Sequence, residues 1–112
     1  GAAAALNEIA RGAGFGIELD ESRIPCSDPA KAVAEILGLD ILNSPSEGRL
    51  VMVCEGRQAG GIVDEWRRLP EGAGAVICGT VTNESGKVSM RTSSGGRRLV
   101  SMPSGEMLPR IC

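Results

Sequence analysis

Histidine is missing altogether from this chain of 112 residues, and its aromatic side chains are Phe15 and Trp66, with no tyrosine. Without an imidazole, no catalytic arrangement within the chain can use histidine as its base, and zinc sites with histidine ligands are excluded. Two rings cannot build a platform for stacking bases. An excess of positive charge is lacking as well: 12 Lys and Arg stand against 14 Asp and Glu, a net charge of −2. A domain that binds nucleic acid shows a basic excess, so nucleic acid is not expected as a partner. No stretch approaches the roughly 18 consecutive apolar residues of a membrane span, so no membrane is expected either. The four cysteines, Cys26, Cys54, Cys78 and Cys112, include no C-x-x-C pair, and no secretory signal is expected. A reducing cytoplasm is the expected location. The chain opens on glycine rather than methionine, so the expectation is a processed or truncated product with material upstream.

What is present suffices for one domain and one core. Ala2 to Ala10 is alanine-rich, with Leu6, Ile9 and Ala10 at helical spacing, and Gly12 and Gly14 stop it. The glycines of Gly12-Ala13-Gly14-Phe15-Gly16 follow a helix and precede a strand. A dinucleotide fingerprint needs the reverse order, so they read as a helix stop and turn. Phe15 to Leu19 alternates as a strand. Ser27 or Asp28 caps a second helix with Pro29 in its first turn, Ala32, Val33, Ile36 and Leu37 as its apolar face, and Gly38 as its end. Leu50 to Cys54 is a continuous apolar run and predicts a strand buried on both faces. Ala59 to Leu69 predicts a helix weakened by Gly60 and Gly61, with Ile62, Trp66 and Leu69 facing inward. Strands follow at Ala75 to Val81, Lys87 to Arg91 and Arg97 to Ser101, separated by glycine-containing turns. The order α-β-α-β-α-β-β-β argues an α+β fold, a mixed sheet with packed helices.

Few residues could do chemistry. The last residue is Cys112, whose thiol stands beside its own carboxylate at the end of Met102 to Cys112, a segment able to reach at most roughly 33–40 Å. A thiol on such a tether can be loaded in one place and reacted in another. A chain that merely ends on cysteine is the alternative. Prenylation is excluded, because its cysteine must be fourth from the end. The adjacent carboxylate raises the thiol pKa, so Cys112 needs help to become a nucleophile. Cys54 and Cys78 lie in apolar segments and read as inert buried thiols. Glu47, between Ser46 and Gly48 on a loop before an apolar run, is placed as a general base could be; a solvated turn carboxylate is the simpler reading of that pattern. Ser94-Gly95-Gly96-Arg97-Arg98 could form an anion nest, or a hairpin turn with solvated arginines. Trp66-Arg67-Arg68 reads as one core ring and two surface cations. No Walker-type motif is present.

These residues, taken in order, resemble a known family. Ala5-Leu6-Asn7-Glu8-Ile9-Ala10, then Gly16-Ile17-Glu18-Leu19-Asp20-Glu21 and Ile24-Pro25, Leu37-Gly38-Leu39-Asp40, Glu47-Gly48-Arg49-Leu50-Val51, Gly95-Gly96-Arg97-Arg98 and Pro109-Arg110-Ile111-Cys112 are similar to the C-terminal part of the HypE hydrogenase maturation proteins, within the aminoimidazole ribonucleotide synthetase (PurM-like) superfamily. The resemblance implies a PurM C-terminal-domain-like fold truncated at its N-terminal side, with residues 1–102 as a partial α/β domain and 103–112 as a flexible tail ending in the carrier cysteine. It implies that a carbamoyltransferase, HypF, loads a carbamoyl group onto Cys112, within the tail motif Pro109, Arg110, Ile111. ATP, with Mg, then activates the amide oxygen as a phosphate whose loss leaves a thiocyanate, and Glu47 is the candidate base for the amide protons. The cyano group passes to iron on a HypC–HypD complex for nickel-iron hydrogenase. The family's ATP-binding half lies outside this chain, so the fragment alone is expected to be inactive and to hold no cofactor or metal. The family dimer uses that missing half, so the fragment is expected as a monomer or a non-native dimer. A non-catalytic module of the same fold that docks maturation partners is the alternative function. A superfamily kinase acting on selenide or thiamine phosphate is a third, against which the terminal thiol speaks.

Overall fold

The computed structural model describes residues 1–102; Pro109, Arg110, Ile111 and Cys112 lie outside the described residues. Helix α1 (Ala2–Ala13) runs past Gly12 and ends at Gly14, whose left-handed φ of 74° lets its N–H reach the Ala10 carbonyl. Strand β1 (Gly16–Asp20) follows, then a single 3-10 turn (Glu21–Arg23) and helix α2 (Asp28–Leu37). A second 3-10 turn (Ile41–Asn43) leads to α3 (Gly56–Arg67), and a third (Pro70–Gly72) to strands β2 (Gly79–Thr82), β3 (Val88–Arg91) and β4 (Arg97–Leu99).

The expected α+β class holds: among the described residues, three helices accompany a mixed four-stranded sheet of order β2-β1-β3-β4, and the first of them packs on it. β1 pairs antiparallel with β2 and parallel with β3, and β3 pairs antiparallel with β4. Period-2 alternation then sorts the faces. Ile17, Leu19, Val88 and Met90 point to one side and meet Ala3, Leu6 and Ala10 of α1, with Leu42 and Val100 completing the core. Glu18 and Ser89, register partners, point to the other.

Three expectations are corrected. Leu50 to Cys54 forms no strand; Leu50 to Val53 are exposed, from Leu50 at 83% to Val53 at 38%, and Cys54 is half-buried. A strand needs a neighbour for its backbone groups and cover for its faces, and none of the described strands lies beside this run. The strand expected over Ala75 to Val81 shortens to Gly79–Thr82, because its partner β1 runs out. Leu19 pairs with Gly79, and at Asp20 the carboxylate accepts from Ser22 N at 3.0 Å and turns the chain away. The element order thus lacks the strand expected between α2 and α3.

The third correction concerns α2. Ser27 caps it, its Oγ accepting from Ala30 N at 3.4 Å, and Gly38 ends it. Its apolar face forms at the expected spacing but looks outward, with Ile36 83% exposed and Val33 and Leu37 over half exposed. Asp28, Lys31, Ala34 and Glu35 line a groove beside the 3-10 turns, and of these Ala34 alone is half-buried. On α3, Ile62 and Trp66 are half-buried while Leu69, just past its end, is exposed. No helix among the described residues is long and apolar enough to cross a membrane.

Candidate functional site

Glu47 sits in an exposed turn whose next residue, Gly48, takes a φ of 79°, a conformation that glycine adopts freely. The turn is positioned from behind. Asp40 caps the preceding 3-10 turn, its Oδ1 accepting from Leu42 N at 3.0 Å, and its Oδ2 pairs with Arg98 Nη2 at 3.0 Å. That ion pair ties the turn to β4, while buried Leu42 ties it to α1. Arg49 Nη1 donates to the Pro25 carbonyl at 3.3 Å, fixing the far side of the turn to the loop before α2. The Glu47 loop therefore leaves a packed anchor at its start and enters the uncovered apolar run at its end.

The start of α1 faces the same loop. A Cβ added at Gly1 would lie 2.6 Å from the Ser44 carbonyl oxygen and 2.7 Å from that of Leu42. The opposite end of α1 meets the point where the described chain ends: Arg11 and Met102 line one groove with Asn7 and Leu99. The length of α1, about 18 Å for 12 residues, thus separates the Glu47 loop from the root of the C-terminal segment. From Ser44 to Glu47 is at most about 10 Å more. Ten residues, 103–112, can span about 33–36 Å.

The glycine-rich hairpin does not become an anion nest with free cations. Arg97 is held by carboxylates, Nη2 at 2.6 Å from Glu84 Oε2 and Nε at 3.3 Å from Glu18 Oε2, and it donates to Ser89 Oγ at 3.0 Å. Arg98 is spent on Asp40. Arg91 pairs with the other oxygen of Glu18 at 3.3 Å, and Lys87 with Glu84 at 3.3 Å. This network on the outer sheet face was not singled out from the sequence. Opposite charges at alternate strand positions, Glu18 and Arg97, were the available signal, but only the strand order brings them together. The Arg97 hydrogen bond, then that of Lys87, holds the Glu84 carboxyl below its ordinary range, and Glu84 in turn pushes the Arg97 guanidinium up. The Ser22 hydroxyl does the same to Asp20 at 2.6 Å.

Arg67 and Arg68 are surface cations as expected, Arg67 Nε donating to the Ala75 carbonyl and Arg68 pairing with Glu65. The cysteines separate by environment. Cys78 is half-buried against the core rather than enclosed in it, and burial pushes its thiol up. Cys54 is half-buried rather than enclosed in a strand, and Cys26 Sγ lies 3.5 Å from the Ser27 carbonyl oxygen. Among the described residues, no cluster of three His, Cys, Asp or Glu is arranged to hold a metal.

Residues 1–91 match the family of AIR synthase related proteins, C-terminal domain. The chain is 46% identical to the carbamoyl dehydratase HypE of Rhodobacter capsulatus over 113 residues, covering 100% of this chain and 33% of that protein. It is 44% identical to that of Azotobacter vinelandii over 108 residues, covering 96% and 32%. It thus spans about a third of the length of these relatives. Among solved structures it resembles the hydrogenase maturation protein HypE, with a TM-score of 0.92 at 35% identity, covering 100% of this chain and 37% of that one. A hydrogenase maturation protein HypE in complex with ATP gives 0.91 at 34%, covering 100% and 35%. A HypE–HypF complex gives 0.87 at 32%, covering 92% and 33%.

Proposed function

Because the chain belongs to the family of AIR synthase related C-terminal domains, we propose that it supplies the thiol-bearing part of an ATP-dependent carbamoyl dehydratase acting in hydrogenase maturation. The observation that supports this most directly is joint. A fold and sequence similar to HypE run through the whole chain, and the chain ends on a cysteine that a ten-residue tether can bring to the Glu47 loop.

In this reading Cys112 is the carrier. A carbamoyltransferase of the HypF kind forms the S–C bond to a carbamoyl group. In the dehydration that follows, the amide oxygen leaves as phosphate, with ATP as co-substrate and Mg as its counterion. Both amide protons are removed, and a thiocyanate remains on the sulfur. Glu47 takes a proton from the amide nitrogen. Its loop follows an anchor formed by Leu42 and the Asp40–Arg98 pair, which supports a base role for a carboxylate on that loop. The cyano group then passes to iron on a HypC–HypD carrier. ATP is held by residues outside this chain, since the arginines beside Gly95 and Gly96 already serve Glu84, Glu18 and Asp40.

The test is mass spectrometry of the C-terminal peptide in the full-length protein after incubation with its carbamoyltransferase, carbamoyl donor and ATP. A carbamoyl adduct on Cys112 that becomes one water lighter is expected. Glu47→Gln should accumulate the heavier species, and an unmodified Cys112 overturns the proposal. The outward apolar face of α2 and the bare Leu50 to Val53 run favour a second reading, a non-catalytic docking module, which requires that Cys112→Ala leave hydrogenase maturation intact.

A further inference from the structure

Arg97 and Arg98 are neighbours in sequence that strand alternation sends to opposite faces of the sheet. Arg97 joins the outer network with Glu84 and Glu18. Arg98 is the register partner of buried Met90 on β3, so its side chain leaves on the core face, where Nη2 meets Asp40 Oδ2 at 3.0 Å. The backbone beneath it is held firmly: β3 pairs with it, and just beyond it Val100 N donates to the Val88 carbonyl at 2.8 Å.

Arg98 acts there on the turn that precedes the Glu47 loop. Asp40 opens the 3-10 turn Ile41–Asn43 with two of its oxygens. Oδ1 accepts from Leu42 N at 3.0 Å, and the backbone carbonyl accepts from Asn43 N at 3.0 Å. Three residues cannot hold such a turn alone. Burial of Leu42 fixes its depth, but apolar contact has no preferred direction. A second tie, at a different point of the turn, sets its orientation, and the Asp40–Arg98 pair is such a tie to the sheet. Pro45, with its φ fixed by the ring, follows two residues after the turn. A rotation of the turn is therefore carried on through a stiff link towards Ser46 and Glu47.

We propose that Arg98 is a positioning residue for the dehydration: through Asp40 it sets the orientation of the turn from which the Glu47 loop departs. The inference rests on the base reading of Glu47. Arg98 acts by geometry, so its loss slows proton removal and leaves loading of the thiol and binding of ATP as they are. A reacting group misplaced by about 1 Å can lose about a hundredfold in rate. A turn still held by Leu42 moves less, and about tenfold is the expected loss.

The test is made in the full-length protein with Arg98→Ala and Asp40→Asn, the second of which keeps an acceptor for Leu42 N while removing the charge. Single-turnover dehydration of the carbamoylated thiol should slow about tenfold in each, with the carbamoylation rate and the KM for ATP unchanged. The double variant should be no slower than either single one, because both remove the same interaction, and Arg98→Lys should recover most of the rate. Arg97→Ala, which loses contacts to Glu84, Glu18 and Ser89 on the outer face, should dehydrate at the wild-type rate. Added to Glu47→Gln, Arg98→Ala should slow the reaction no further. Hydrogen–deuterium exchange over Ser44–Arg49 should rise in Arg98→Ala and not in Arg97→Ala. Wild-type dehydration in Arg98→Ala, equal slowing by Arg97→Ala, or further slowing on the Glu47→Gln background overturns the inference. Unchanged exchange over Ser44–Arg49 in Arg98→Ala, with Glu47→Gln slow, sinks it alone, whereas a Glu47→Gln protein that dehydrates at the wild-type rate sinks the base reading.

Discussion

Helices α1 and α2 are both amphipathic and of similar length, 12 and 10 residues, yet they end in opposite relations to the rest of the molecule. α1 buries Ala3, Leu6 and Ala10 completely or nearly so against Ile17, Leu19, Val88 and Met90. α2 turns Val33, Ile36 and Leu37 to solvent, and Asp28, Lys31 and Glu35, also exposed, line a groove beside it. The apolar period forms each helix, but burial needs an opposing apolar surface. The sheet has one such face, and α1 fills it. α2 holds together by local means: the Ser27 cap, Asp28 in its first turn and the left-handed turn at Gly38. The same contrast separates Val88 to Met90, paired on both sides and buried, from Leu50 to Val53, as apolar and unpaired.

The comparison can be broken most directly by truncating one side chain on each helix. Leu6→Ala should destabilise the chain by about 2–5 kcal/mol, because the cavity lies in the closed core. Ile36→Ala should change stability by less than about 0.5 kcal/mol. Urea denaturation followed by circular dichroism measures both, and comparable losses would mean that α2 is covered in solution. A smaller effect is expected where α1 meets the sheet's polar seam. Asn7 Nδ2 donates to the carbonyls of Ala3 and Val100, both at 2.8 Å and buried. Asn7→Ala should cost about 1–3 kcal/mol by leaving the Val100 carbonyl without that donor, and a neutral result would show that water replaces it.

The smallest effect belongs to the exposed ion network. Glu84 has its pKa lowered in the fold by Arg97 and Lys87. Its stabilisation is therefore fully present above the ordinary glutamate pKa of about 4.3 and is lost as pH falls through the lower folded value. Glu84→Gln should flatten that part of the acid limb and leave stability at neutral pH little changed, as for other surface pairs. Denaturation midpoints across the acid range check it; an unchanged acid limb would show that the pairing is not populated.

Much of the architecture was readable from local pattern. The stop at Gly14, the Ser27 cap, the turns at Gly86 and Gly95 and the alternation of Val88 and Met90 each follow from short-range sterics or capping. The strand expected at Leu50 to Cys54 failed because apolarity records a tendency to be covered and says nothing about what does the covering. The helix at Gly56 begins earlier than the apolar spacing implied, since Gly56, Arg57 and Gln58 carry no apolar signal. For the site, Glu47 could be picked out as a loop carboxylate. Its anchoring through Asp40 and Arg98 could not, because those residues are 58 positions apart. The tail motif lies outside the described residues, so its reading still comes from the sequence.

By itself the sequence determined which chemistry is available: no imidazole, a terminal thiol, a loop glutamate, and helices and turns whose ends are set within a few residues by caps and glycines. Those are properties of neighbours along the chain. Tertiary structure alone decided which apolar residues are buried, which arginines are already committed to carboxylates, and that Glu47 and the root of the tail stand at opposite ends of α1. Each of these depends on contacts between residues far apart in sequence, where long-range pairing and the single available apolar face of the sheet select among candidates that look alike locally.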